Sequence, residues 1–277
     1  MKLLLAATLL CAGAAHAQSP SPLWDDVVHP NRLRCAALVE LARKDLESRA
    51  GVDKLRGSGR LVEATRLCPK SVDAFALLGQ ARVDDGDLAG AAVALERARA
   101  LAPAGEDNDP RLAFHLGFIR AIGGDLEGSL REYRRAEYLG GIGRGDEWLL
   151  LYDLGDDYMA LGRLSEAIDA YRRSVRAQPS EPMPRLALGV ALDRDGQLEK
   201  SRAELTVALS LDPQLKRLGS DRYVFVPAAD VHYYQALAAT QRGRLAEARS
   251  HFEEFLRHLP DSPYAPRARE HLRSLPP

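Results

Sequence analysis

Cysteine is scarce in this 277-residue chain, with Cys11, Cys35 and Cys68 the only three. Three cysteines exclude a small disulfide-dense scaffold and a zinc module built on repeated Cys pairs. Lysine is nearly as rare, at six of the 38 basic residues, and the formal net charge is −1. So balanced a chain carries no electrostatic footprint for nucleic acid. Beyond the first 17 residues no apolar run reaches the length of a bilayer crossing, so no transmembrane segment is expected in the mature chain. Catalytic motifs are missing as well. The sequence has no HExxH and no GxSxG, and the glycines between Gly140 and Gly145 follow no strand, the context a dinucleotide loop requires. His251 and His258 stand seven apart, without zincin spacing. No enzyme activity, no cofactor and no metal site is expected.

At the start, Lys2, the apolar run Leu3 to Ala14 and the ending Ala15-His16-Ala17 read as a secretory signal peptide over 1–17. The chain is therefore expected to be exported, to the periplasm first and otherwise secreted or associated with the outer membrane. Residues 18–30 hold three prolines and no helical period, and read as a tether. Apolar residues then recur at helical spacing on both sides of Gly51-Val52, giving a degenerate hairpin over 31–70. Its second helix is expected to start at Asp53, unless Gly57-Ser58-Gly59 breaks it. Cys35 and Cys68 are equidistant from the turn, which sets them side by side in an antiparallel helix pair. A disulfide between them is expected to staple the hairpin, with two buried free thiols as the alternative.

From Trp148 to Ser180 the pattern sharpens: Leu151-x2-Leu154-Gly155-x2-Tyr158, then Gly162, Ala167-x3-Tyr171 and Pro179. This spacing resembles the tetratricopeptide repeat family, a helix–turn–helix of about 34 residues, with Leu151 where the family usually has tryptophan. The frame recurs at Gly79, Gly117, Gly155, Gly189 and Ala236, in steps of 38, 38, 34 and 47 residues. The long last step places an insert at 214–227, ending in the aromatic segment Tyr223-Val224-Phe225-Val226-Pro227. The expected fold is an all-α TPR-type solenoid of antiparallel helix hairpins, with repeats over 72–213 and 228–261 and an arginine-rich capping helix over 262–274. Asp109 and Asp146 are read as N-caps. Gly155 and Ala167 are expected to let paired helices approach, with Leu154, Tyr158 and Tyr171 filling the space between neighbouring repeats.

The resemblance implies that the first helix of each repeat lines a concave groove. Carried over by position, the groove residues are Arg111, Phe114, His115, Phe118, Tyr152, Asp153, Asp156, Met159, Met183, Arg194, Asp230, Tyr233 and Tyr234. Ordinary packing between repeats is the competing reading for each. The lysine and asparagine pair with which some family members clamp a carboxylate is absent from the matching positions. The function expected is a non-enzymatic protein-binding adaptor of the bacterial cell envelope that holds a partner segment in the groove. A regulatory or substrate-delivery subunit of an envelope enzyme is an alternative, as is a structural protein that self-associates through the 214–227 insert.

Overall fold

The computed structural model describes residues 30–48, 50–102, 109–143, 145–218, 225 and 227–276. The proposed signal peptide and nearly all of the tether lie outside them. The chain divides into two compact units, at Pro69 and Lys70.

The first unit contains α1 (Pro30–Glu47) and α2 (Gly51–Leu67), packed as an antiparallel pair. α2 starts at Gly51 rather than Asp53, and Gly57-Ser58-Gly59 continues the helix. Gly57 faces α1 so closely that a Cβ would lie 3.2 Å from the Ala42 carbonyl oxygen. Both cysteines are free thiols, so the expected staple is not closed in this structure. Cys35 is buried and donates to the Ala64 carbonyl at 3.7 Å, while Cys68 donates to the Asn31 carbonyl at 3.7 Å. Burial, reinforced by the neighbouring Cys68 thiol, pushes the Cys35 thiol up to about 12. The two side chains are thus neighbours, and a bond between them remains a proposal for the chain in an oxidising compartment.

The second unit is a series of helix hairpins: α3 (Val72–Asp84) with α4 (Leu88–Leu101), α5 (Pro110–Ile122) with α6 (Leu126–Tyr138), and α7 (Glu147–Ala160) with α8 (Leu164–Ala177). Next come α9 (Pro182–Arg194) with α10 (Leu198–Leu211), and, after a short 3-10 turn at Ala228–Asp230, α11 (Val231–Gln241) with α12 (Leu245–His258). A final helix, α13 (Ala265–Ser274), packs on α12. Local chemistry sets the helix starts. Asp87, Asp125 and Asp109 each accept a backbone N–H of the first turn at 2.9 Å. Asp146 occupies the corresponding place before α7 but makes no side-chain cap bond, contrary to expectation. Inside the hairpin turns Gly162 and Gly196 adopt φ of 73° and 76°, a conformation a side chain would strain.

Close approach within four of these hairpins follows one rule. A Cβ on Gly79 would fall 2.4 Å from Leu95, on Gly117 2.7 Å from Tyr133, on Gly155 2.4 Å from Tyr171 and on Gly189 2.8 Å from Leu205. Each glycine opposes a large residue sixteen positions later, one helical turn beyond the small residue expected to face it. Tyr171 therefore fills a slot inside its own hairpin rather than a gap between repeats. Tyr158 does bridge neighbours, because Arg134 of α6 donates to its hydroxyl at 2.7 and 3.0 Å. Gly155→Leu is expected to overpack the α7–α8 contact by ~1–3 kcal/mol or more, which thermal unfolding reads as a drop of about 2–4 °C per kcal/mol. An unchanged midpoint contradicts this packing. For the first unit, thiol titration in denaturant without reductant is expected to find no free thiol in chain recovered from an oxidising compartment, and two reactive thiols would refute the staple.

Candidate functional site

Along α7 the acids Asp153, Asp156 and Asp157 fall within little more than one helical turn. Gly155 holds Tyr171 flat against this helix, so that the Tyr171 hydroxyl donates to Asp156 Oδ1 at 2.5 Å. Tyr152 packs on Tyr171 with ring centroids 5.9 Å apart. Around the acids α5 contributes Phe118, Ala121 and Ile122, α6 contributes Leu126 and Tyr133, and α11 contributes Tyr234. Asp230 of the 3-10 turn and Phe225 of the insert complete the lining of a cavity of ≈ 50 Å³, which Tyr152, Met159 and Ala160 also border. Phe225 stands edge-on to Tyr234 at 4.9 Å between ring centroids.

Asp157 is buried here, and Asp153 and Asp156 are half-buried. Burial pushes Asp156 up to about 8, with the Tyr171 hydroxyl pulling the other way and the Asp157 charge adding to the rise. Burial likewise pushes Asp157 up to about 7. Asp157 is only 4% exposed, and among the described residues its Oδ2 has no hydrogen-bond partner. Ser129 lies beside it without reaching hydrogen-bond geometry.

Of the groove residues expected from sequence, Phe118, Tyr152, Asp153, Asp156, Met159, Asp230 and Tyr234 meet at this cavity. The others do not. Arg111 is exposed, and its Nε donates to the Ile142 carbonyl at 3.3 Å. Phe114 is buried against Tyr133, and burial lowers the neighbouring half-buried His115 to about 4. Met183 is 1% exposed, and Tyr233 is fully enclosed, donating to Asp193 Oδ2 at 2.8 Å. Burial would raise Asp193, but hydrogen bonds from His271 and Arg267, with Tyr233, outweigh it and hold the carboxyl at about 2. The Arg194 side chain is wholly buried, bonded to both oxygens of Asp230 at 2.5 and 3.2 Å and stacked on Tyr233 and Tyr264 at 4.3 and 4.0 Å. Phe114, Met183, Arg194 and Tyr233 are thus enclosed, while Arg111 and His115 keep exposure, and the helix expected to be a polar cap supplies Arg267 and His271 to the interior. Tyr264, just before it, donates to the Met159 carbonyl at 2.5 Å.

Sequence reasoning missed Ala121, Ile122, Leu126, Tyr133, Ala160 and Phe225 as lining residues. Asp157 was not among the groove residues carried over. The helical register of Asp157, one residue past Asp156, points it at α6, and that was the available signal. Near the chain end His232 sits between His251 and His258, with Nδ1 atoms of His232 and His251 3.3 Å apart. Among the described residues no group of three or more His, Cys, Asp or Glu is arranged to hold a metal ion, and no helix is long and apolar enough to cross a membrane.

Comparison with known proteins agrees with this architecture. Residues 152–216 and 219–266 match the tetratricopeptide repeat family model. No curated protein sequence matches the chain. Among solved structures it is similar to pilF of Pseudomonas aeruginosa at 15% identity and a TM-score of 0.57, over 87% of this chain and 99% of that one. It is also similar to PilW, described as a widely conserved type IV pilus biogenesis factor, at 16% identity and a TM-score of 0.56, over 88% and 97%. A MamA variant aligns at 20% identity and a TM-score of 0.54, over 68% and 99%.

Because Asp156 holds its proton more tightly in the folded chain than at its ordinary value of 3.8, its contribution to stability is present below about 4 and is lost as pH rises through about 8. Urea midpoints are therefore expected to fall between about pH 6 and pH 8.5, and Asp156→Asn is expected to flatten that fall. A midpoint that rises over this interval refutes the assignment.

Proposed function

From a chain folded as tetratricopeptide repeats, we propose a non-enzymatic protein-binding scaffold of the bacterial cell envelope that holds a partner segment against the first helices of its repeats. The observation that carries this reading is the cavity where α5, α7 and α11 converge, lined by Phe118, Ile122, Leu126, the three acids of α7 and Phe225. Aromatic and aliphatic walls around a few polar groups are what interface anchors require. Helical repeats supply such surfaces by stacking units that each contact only their neighbours. The envelope location rests on the leader-like residues 1–17, and the pilus-biogenesis role of a structural neighbour is compatible with it.

A photo-cross-linking residue in place of Phe118, in the full chain within its host, is expected to capture a discrete protein. The same residue in place of Val93, which is 70% exposed on α4, serves as the control and is expected to capture none. Capture should disappear when the lining residue Leu126 is replaced in Leu126→Arg. Equal capture from both positions, or capture indifferent to Leu126→Arg, refutes the groove.

A further inference from the structure

We propose that the α11–α12 hairpin holds a divalent transition-metal ion, Zn²⁺ or a first-row neighbour, on His232, His251 and Glu254. None of these three residues lines the cavity on α7, so the site does not depend on the scaffold reading. His232 stands in the first turn of α11 and His251 in the middle of α12, and both are half-buried. Their Nδ1 atoms are 3.3 Å apart, with the rings inclined at 27°. Two nitrogens bound to one tetrahedral ion at about 2.0–2.1 Å stand about 3.3–3.4 Å from each other. The pair therefore already has the separation of two ligands. Without an ion, one imidazole donates its Nδ1–H to the other, and the ion takes the place of that proton after a small turn of both rings.

The third ligand comes from the same part of α12. Glu254 is about one turn beyond His251, and its charge acts on both His232 and His251. Its Oε2 lies 3.6 Å from His258 Nε2 and is also paired with Arg257. The carboxylate must rotate away from these partners to complete the site, which is why three donors do not converge among the described residues. Glu247, one turn before His251, adds a second negative charge near the pair.

The donor set selects the kind of ion. Imidazole nitrogens with one carboxylate suit Zn²⁺, Ni²⁺ or Cu²⁺, whereas Mg²⁺ and Ca²⁺ take sets of oxygens. Burial, with the neighbouring His232, lowers His251, which favours the neutral imidazole that a metal binds. Three protein ligands leave a fourth tetrahedral position for water or for a donor from a partner. Because the ligands come from both helices, the ion braces the α11–α12 hairpin.

The test uses the full chain purified without a histidine tag, titrated with ZnCl₂ and followed by imidazole proton NMR signals. The ring signals of His232 and His251 are expected to shift together, while those of His115 stay in place. The thermal midpoint is expected to rise with Zn²⁺ concentration, and Mg²⁺ at the same concentration is expected to produce neither effect. His232→Asn and His251→Asn should each weaken Zn²⁺ binding at least about tenfold, and Glu254→Gln at least about threefold. If a histidine variant fails to fold, the ring signals of the unaltered chain and the Glu254→Gln variant carry the test. Shifts confined to other histidines, ring signals that Zn²⁺ leaves in place, or an affinity indifferent to Glu254→Gln would overturn the site.

Discussion

The contact between Gly155 and Tyr171 is the constraint on which the centre of this molecule depends. With hydrogen for a side chain, position 155 lets an aromatic ring lie where a Cβ would be 2.4 Å away. That ring closes the α7–α8 hairpin and carries its hydroxyl to Asp156. One glycine thus connects repeat stacking to the chemistry of the cavity wall. Gly79, Gly117 and Gly189 make the same approach to Leu95, Tyr133 and Leu205, but only the tyrosines bring a hydroxyl. Tyr133 borders the cavity from the opposite hairpin, so the two glycine–tyrosine slots flank the acids of α7.

Polar groups have also been built into the interior farther along. Asp193 is enclosed and kept ionised by Arg267, His271 and Tyr233, while Arg194 is enclosed and kept charged beside Asp230 and three tyrosines. Breaking one partner of such a buried set typically costs about 3–5 kcal/mol because the remaining charge is stranded. These contacts tie α13 to α9, helices almost 80 residues apart in sequence (His271 to Asp193 is 78). The end of the chain is consequently part of the core of its unit, and Tyr264 extends that tie to the carbonyl of Met159 on α7.

How far the sequence could be read follows from the range of each interaction. Helix hairpins were legible because glycine, proline and aspartate act locally: the turn at Gly162, the cap at Asp109 and the small residues Gly155 and Ala167 are all written within one repeat, whereas the seat of Tyr171 against Gly155 was not read. The cavity was legible only in part. Helical position identifies the face that Tyr152, Asp156 and Tyr233 share, but not which of them a distant segment covers. Tyr233 and Arg194 are covered by residues from α13 and its approach, and Tyr234 by Phe225, none of which repeat periodicity locates. Asp146 was read as a cap from residue type alone, yet its side chain makes no cap bond at the start of α7.

The most direct measurement is a carboxyl ¹³C titration of the folded chain, resolving Asp156 and Asp157. If Tyr171, seated on Gly155, helps enclose these acids in a poorly solvated cavity, their midpoints lie near 8 and 7. Removing the hydroxyl with Tyr171→Phe is then expected to move Asp156 higher still, since that hydrogen bond favours the carboxylate. Midpoints near the ordinary 3.8 for both acids would mean an open, hydrated wall and would contradict the cavity described here.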